Sequence, residues 1–297
     1  MGICILITNI AFVINKNYIG QFKVTFYSLV KTNGELSFFV RLLHGDLDEY
    51  DKHDVEKFVH SFNAEIEFYK IDDGIFSGLP KMGYDNSYTA YYKTLLPYLL
   101  SMMKDKVLFL DCDVIVRGKI ERLYSEDNGH FLSCVEDYKI SRCRKEHKRL
   151  IIGEPDIKYF NSGVMLFNFS NIDKIVPKEI LLEYILNNKD KIVWHDQDIL
   201  NHFYAKECYF LDEKYNYLTT YKSIFDILFQ KGKNKAVIVH YANWKPWNSN
   251  YIGKYYRLYK KHYDALTGEK GVDYLKKRKL SAQLKLVLYY LFRKTTE

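Results

Sequence analysis

The chain has 297 residues, 47% of them hydrophobic, which is enough to bury a full core and marks a globular protein of one large or two modest domains. Its five cysteines (Cys4, Cys112, Cys134, Cys143 and Cys208) are an odd set without CxxC spacing, so neither a disulfide framework nor a thiolate zinc site is suggested, and a reducing cytoplasm fits best. The net charge of +7 is unevenly placed: residues 276–294 carry seven Lys or Arg and no acid, an asymmetry that asks for an anionic partner.

Residues 1–8 are apolar but have no basic n-region and no small-residue cleavage site, and they are too short to span a bilayer. We expect neither a signal peptide nor a transmembrane helix there, only an extension before the first strand. Residues 10–14 read as that strand, Asn15-Lys-Asn-Tyr18 as a loop, and residues 21–31 as a helix whose Phe22, Val24, Phe26, Leu29 and Val30 share a face. A second strand over 37–43, a helix over 48–62 and an alternating strand over 64–71 follow. A loop rich in Gly, Pro, Asp and Ser runs to about residue 87. The spacing then predicts one helix over 88–103 before the apolar run 107–116. This alternation predicts a parallel sheet with ligands at its carboxyl edge.

Further on, 131–135 reads as a strand, 142–149 as an exposed basic loop, 159–168 as a strand and 172–186 as a helix. Another helix opens at 194–201, and 236–240 is an apolar strand ending in His240. With no repeat and no linker, the chain reads as one α/β catalytic domain over 1–265 and a tail over 266–297. In that tail Leu280, Leu284, Val287, Leu288, Leu291 and Phe292 recur at helical spacing among Lys276, Lys277, Arg278, Lys279, Lys285, Arg293 and Lys294. Such a helix suits an anionic lipid surface; the alternative is a final helix packed on the domain.

The run 107–116 delivers two carboxylates behind four apolar residues. Residues i and i+2 of an extended chain point the same way, so Asp111 and Asp113 can converge on one hard cation while Cys112 turns into the packing. Mg²⁺ or Mn²⁺ favours such oxygens and shares them with substrate phosphates. The competing reading is a solvated turn, since Asp46-Leu-Asp48 and Asp196-Gln-Asp198 have the same spacing without that context.

Five separated segments then agree with one pattern: Tyr91-Tyr-Lys93, Phe109-Leu-Asp-Cys-Asp-Val-Ile-Val116, Tyr159-Phe-Asn-Ser-Gly-Val164, Asp196-Gln-Asp-Ile-Leu-Asn201 and His240-Tyr-Ala-Asn-Trp-Lys-Pro-Trp247. Together, over roughly residues 10–265, they resemble glycosyltransferase family 8. Its members are retaining sugar transferases, among them bacterial galactosyl- and glucosyltransferases of lipopolysaccharide and capsule, and glycogenin. The resemblance implies a Rossmann-like GT-A fold, a UDP-sugar donor and Mn²⁺ or Mg²⁺.

On the family pattern Asp111 and Asp113 are metal ligands, with Cys112 between them in the donor site, and His240 completes the set. A borderline cation such as Mn²⁺ accepts imidazole beside carboxylate, although a lone His at a strand end is also commonly a structural residue. Lys245 matches the lysine that reaches the diphosphate, where a fixed cation stabilises the departing charge; on charge alone it reads as solvated surface. Asp137, Asn161, Asp196 and Gln197 match positions lining the donor sugar, while residue type alone equally fits a turn at Asn161 and an N-cap at Asp196. Asn17 and Tyr18 match the uracil and ribose contacts, Asn15 stands at a third such position, and Lys93 stands in place of a donor-side arginine.

Retention by double displacement needs a nucleophile just below the anomeric carbon, and the resemblance puts Gln197, a poor one, nearest that face. It therefore implies same-face attack through an oxocarbenium-like ion pair, with Lys245 and the metal on departing UDP and the Gln197 carbonyl dipole on the developing positive charge. The leaving phosphate oxygen takes the acceptor's proton. The chain departs from the family at Asn15, where an acid is usual, and at Lys93, which lacks the arginine fork. It departs again in the His240 motif, which is one residue short and has Asn243 for glycine.

The expected activity is transfer of galactose or glucose from a UDP-hexose to a cell-surface glycan or lipid-linked saccharide. The enzyme is expected to be cytoplasmic and peripheral at the inner face of the plasma membrane. A glycogenin-like self-glucosylating protein and a UDP-sugar binder without activity are the alternatives. Nucleic acid is not an expected partner, because the aromatic residues lie in apolar periodic segments and no nucleic-acid motif is present.

Overall fold

The computed structural model describes residues 7–81, 87–126, 128–219, 235–242, 245–247 and 255–268. The expectations for residues 1–6 and for the basic tail over 276–294 lie outside the described residues.

The first half follows the expected alternation: β1 (Ile7–Val13), α1 (Ile19–Thr32), β2 (Ser37–His44), α2 (Glu49–His60) and β3 (Glu65–Lys70). Ile7 and Thr8, read as part of an extension, belong to β1, paired with Ser37 and Phe38. Asp48 starts α2 by accepting from the Asp51 N–H at 2.9 Å while the Asp51 carboxylate accepts from the Asp48 N–H, a reciprocal cap. The apolar face of α1 packs on the sheet, where the Phe26 ring meets Phe22, Phe38, Phe58 and Phe62 at centroid distances between 5.9 and 6.3 Å.

The chain continues through α3 (Leu96–Leu99), β4 (Lys106–Leu110), β5 (Val114–Val116), α4 (Glu121–Ser125), β6 (Leu132–Glu136), α5 (Tyr138–Cys143) and α6 (Lys145–Ile152). Then come β7 (Phe160–Asn168), α7 (Lys178–Asn188), α8 (His195–Tyr204), β8 (Tyr209–Phe210), β9 (Tyr217–Leu218), β10 (Ile238–His240) and α9 (Tyr256–Thr267). Seven strands form one sheet in the order β3-β2-β1-β4-β7-β6-β8, and β5-β10-β9 form a smaller one. Along β4, Val107 and Phe109 enter one apolar cluster and Leu108 and Leu110 the other, so both faces of the large sheet are covered. Among the described residues no helix is long and apolar enough to cross a membrane.

Four expectations are corrected. The sheet is mixed, not all parallel: β1, β2, β3 and β4 are parallel, but β7 runs antiparallel to both β4 and β6. All nine residues of β7 are buried, and a strand buried on both faces has no pattern that reveals its direction. The helix expected over 88–103 is a 3-10 segment, Thr89–Leu95, followed by the single turn of α3; Pro97 has no N–H to carry an α-helical ladder across that point. The helix expected over 172–186 is likewise a 3-10 segment, Phe169–Lys174, and then α7, separated by Pro177, which forces the preceding residue out of helical geometry. The basic stretch 142–149 is exposed along most of its length but helical: Asp137 caps α5 through the Ile140 N–H, and Gly153, at φ 85°, closes α6.

Candidate active site

The run 107–116 is cut into two strands of different sheets, and the cut builds the site. β4 ends at Leu110, the Asp111 N–H donates to the Gly163 carbonyl at 2.8 Å, and residues 111–113 turn. The chain then resumes as β5, antiparallel to β10 with Val114 opposite His240. From α1, the Thr25 hydroxyl lies 2.9 Å from the carbonyl oxygens of both Cys112 and Val114, clamping the turn from beneath. The Cys112 side chain packs in the core as expected, with Sγ 3.8 Å from the Val13 carbonyl.

This turn points both carboxylates at His240. Ligand atoms of Asp111, Asp113 and His240 all lie within 4.8 Å of one another. His240 Nδ1 is 2.8 Å from Asn216 Oδ1, and the Asn216 amide nitrogen donates to Asn161 Oδ1 at 2.8 Å, so Asn216 Oδ1 is an acceptor and the imidazole proton sits on Nδ1. His240 Nε2 then faces Asp113 Oδ1 at 3.2 Å, and that buried carboxylate oxygen has no other partner among the described residues. A carboxylate oxygen and an imidazole nitrogen at such a distance are held together by a shared cation, either a proton on Nε2 or a metal ion that takes its place. Oxygen, oxygen and imidazole nitrogen are donors that Mn²⁺ or Mg²⁺ accepts, so the residues present fit a divalent metal. A Cβ on Gly163 would overlap His240 and come within 2.9 Å of Asp111 Oδ2, so the space the three side chains enclose exists because residue 163 has none.

Two lysines balance the carboxylates. Lys93 Nζ is buried 2.8 Å from Asp111 Oδ1 and 3.3 Å from Asp196 Oδ2; burial works against its charge, but the two carboxylates hold its ammonium well above the usual range. Lys245 Nζ pairs with Asp113 Oδ2 and donates to the carbonyls of Tyr241 and Ala242 at 3.1 Å. Burial also opposes ionisation of Asp113, yet Lys245 and His240 hold its carboxyl far below the usual carboxylate range. Asp111 goes the other way, pushed up by burial and by Asp113 against the pull of Lys93.

Beside this charged end lies a cavity of about 520 Å³, lined also by Asn15, Tyr18, Asp137, Asn161, Asp196 and Gln197. The expected site residues thus share one cavity, with one exception. Asn17 is exposed on the 3-10 turn Lys16–Tyr18, where its N–H donates to Asn15 Oδ1 at 3.0 Å.

The polar wall is tightly specified. Asn161 Oδ1 accepts from the Gly163 N–H at 3.0 Å, which leaves its amide nitrogen to donate to Gln197 Oε1 at 2.9 Å; the Ser162 N–H reaches the same oxygen at 3.2 Å. Gln197 Nε2 in turn faces Asp137 Oδ2 at 3.3 Å, and burial pushes the Asp137 carboxyl up. Asp196 Oδ2 accepts from the Ser162 hydroxyl at 2.6 Å. Asp196 lies inside the first turn of α8 and is not its cap, which is Trp194. The two competing Asp-x-Asp pairs are accounted for locally: Asp46 and Asp48 hold Lys16, and Asp198 is fully buried in hydrogen bonds.

Sequence reasoning missed Asn216, Ser162, Trp194 and His195. Asn216 is 24 residues from His240 and carries no motif. Ser162 and Trp194 stood in plain view beside Asn161 and Asp196, but a hydroxyl and an indole have no spacing rule that marks them.

The sequence profile described as Glycosyl transferase family 8 matches residues 9–251. The chain is 26% identical over 234 residues to the glycosyltransferase GlyA of Streptococcus pneumoniae, covering 78% of this chain but only 31% of that longer protein. It is also 26% identical over 248 residues to the lipopolysaccharide 1,3-galactosyltransferase of Salmonella typhimurium, covering 81% of this chain and 73% of that one. Among solved structures, the galactosyltransferase LgtC in complex with donor and acceptor sugar analogues superposes with a TM-score of 0.77 at 23% identity, covering 89% of this chain and 98% of LgtC. This likeness establishes the GT-A fold.

Proposed function

We propose, from the premise that the chain belongs to glycosyl transferase family 8, that it is a metal-dependent, retaining hexosyltransferase using a UDP-sugar, with a cell-surface glycan or lipid-linked saccharide as acceptor. The observation that carries this reading is the convergence of Asp111, Asp113 and Nε2 of His240 at one end of a cavity whose other wall is a hydroxyl-matching polar network. Its galactosyl- and glucosyltransferase relatives of lipopolysaccharide synthesis support galactose or glucose as the hexose.

In this reading Asp111, Asp113 and His240 hold Mn²⁺ or Mg²⁺, which when bound supplies positive charge beside the diphosphate. Lys245, tethered through Asp113, exchanges that carboxylate for a phosphate oxygen as the donor enters, bringing a second positive charge to the leaving group. Lys93 stays buried between the Asp111 and Asp196 carboxylates and pairs with both. The carbonyl oxygen of Gln197 is taken up by Asn161 and Ser162, so we assign the charge facing the sugar to Asp137 and Asp196 and to Gln197 the task of orienting Asp137. Same-face attack then needs no protein base, because the leaving phosphate oxygen accepts the acceptor's proton.

A screen of UDP-hexoses with Mn²⁺ tests this directly. We expect UDP release from UDP-galactose or UDP-glucose, dependence on the added ion, and a product with the donor's anomeric configuration. An inverted anomer, or full turnover in chelator, refutes the mechanism.

The tail over 276–294, outside the described residues, supplies cations for an anionic membrane where a lipid-linked acceptor lies. Removing residues 276–297 is expected to abolish sedimentation with anionic liposomes while UDP-sugar hydrolysis persists; unaltered liposome binding refutes this placement.

A further inference from the structure

One stretch of the cavity wall has no part in the chemistry above. Val193, Trp194 and His195 line the cavity just before Asp196, and Val193 is 55% exposed, so this is its solvent edge. The edge is built with unusual care. Asp198 Oδ2 accepts from the N–H groups of Val193 at 2.7 Å and Trp194 at 2.8 Å, while Oδ1 is 2.6 Å from both the Tyr159 hydroxyl and His147 Nε2. The His147 ring stands edge-on to the Trp194 indole at 4.3 Å.

So braced, the chain enters α8 through His195 at φ 52°, a left-handed conformation uncommon for residues other than glycine and more frequent for His, Asn and Asp than for the rest. The imidazole lies against the Tyr91 ring at 5.8 Å, and its buried Nδ1 has no hydrogen-bond partner among the described residues. A buried polar atom without a partner, on a residue that lines a cavity and whose backbone is fixed by its neighbours, is positioned for a ligand.

We propose that His195 is a recognition residue for the acceptor sugar, its Nδ1 hydrogen-bonding a hydroxyl of the glycan beside the Trp194 ring. This rests on the transferase reading above and adds to it the side from which the acceptor enters. A hydroxyl both donates and accepts, so it completes Nδ1 in either tautomer; burial holds the imidazole below its usual pKa and therefore neutral. The donor's needs are met elsewhere, by the metal ligands for its phosphates and by Asp137, Asn161 and Asp196 for its sugar. The exposure of Val193 leaves this edge of the cavity open to a second substrate once the donor occupies the metal end.

The test compares His195→Gly with His195→Asn. Glycine adopts the left-handed conformation freely and removes the ring; asparagine tolerates that conformation and puts a polar atom at the same bond distance from the backbone as Nδ1. Kinetics would be measured with UDP-hexose and whichever methyl hexopyranoside of a panel the unaltered enzyme uses best. We expect His195→Gly to raise the acceptor KM about tenfold, with the donor KM within about twofold, and His195→Asn to recover most of the loss. An unchanged acceptor KM in His195→Gly, an equal rise in donor KM, or no recovery in His195→Asn overturns the proposal. An unaltered protein that turns over no UDP-hexose at all sinks the transferase reading itself, and this one with it.

Discussion

Asp113→Ala is expected to lower metal-dependent sugar transfer by on the order of 10³-fold, the several kcal/mol that a bound divalent ion contributes to stabilising a leaving group. The size of the effect follows from what Asp113 touches. One oxygen faces His240 Nε2 with no other partner, and the other pairs with Lys245, so removing the carboxylate takes away a metal ligand and also frees the lysine from its tether. In the metal-free protein the same carboxyl is held below its usual range, so its ionisation stabilises the fold above ordinary carboxylate pKa values. That contribution is lost as pH falls through the depressed value. The stability deficit of Asp113→Ala should therefore shrink in acid. Asp113→Asn keeps the shape and one acceptor oxygen, and is expected to lose Mn²⁺ affinity with less damage to folding. Isothermal titration with Mn²⁺, UDP-hexose turnover and far-ultraviolet circular dichroism check the three parts. Turnover within tenfold of the unaltered enzyme removes Asp113 from the mechanism.

The two aspartates were legible because an apolar run fixes a strand and the carboxylates terminate it; burial is a statement that sequence makes in plain terms. The partition of that run between two sheets was not legible, since Val114, Ile115 and Val116 continue the apolar pattern without interruption and only the tertiary pairing with β10 separates them from β4. Yet that partition is what aligns His240 with Val114, one residue beyond Asp113. His240 could be picked out by family likeness and as a polar residue closing a strand, but the direction in which its Nε2 points is set by Asn216, a residue in a loop. The role we propose for Gln197 differs from the expected one for a similar reason: which end of an amide faces the sugar depends on two neighbouring donors and one acceptor that no local pattern encodes. Helix boundaries failed at Pro97 and Pro177, where the apolar periodicity runs on but the backbone cannot.

Gly163→Ala is expected to cost about 10²-fold in transfer although it replaces no charged or polar side chain. The substitution is mild as a backbone change, because residue 163 lies within β7 and its φ is not in the left-handed region that favours glycine. Its effect is one of space. The new methyl would overlap His240 Cε1 and approach His240 Nδ1 to 2.8 Å and Asp111 Oδ2 to 2.9 Å, closer than carbon and these atoms can come. The strand cannot withdraw, since the Gly163 carbonyl accepts from the Asp111 N–H at 2.8 Å and the neighbouring Val164 pairs with Leu110. The imidazole must therefore give way, breaking its bond to Asn216 and turning Nε2 out of line with the carboxylates. Displacing a ligand through its supporting contact typically lowers metal affinity by about 10 to 100-fold, and overpacking adds a stability cost of about 1–3 kcal/mol. Gly20→Ala, in α1 with open space around its Cβ, is the control and should leave Mn²⁺ affinity as it was. If Gly163→Ala binds Mn²⁺ as tightly as that control, the three side chains around residue 163 are not a metal site.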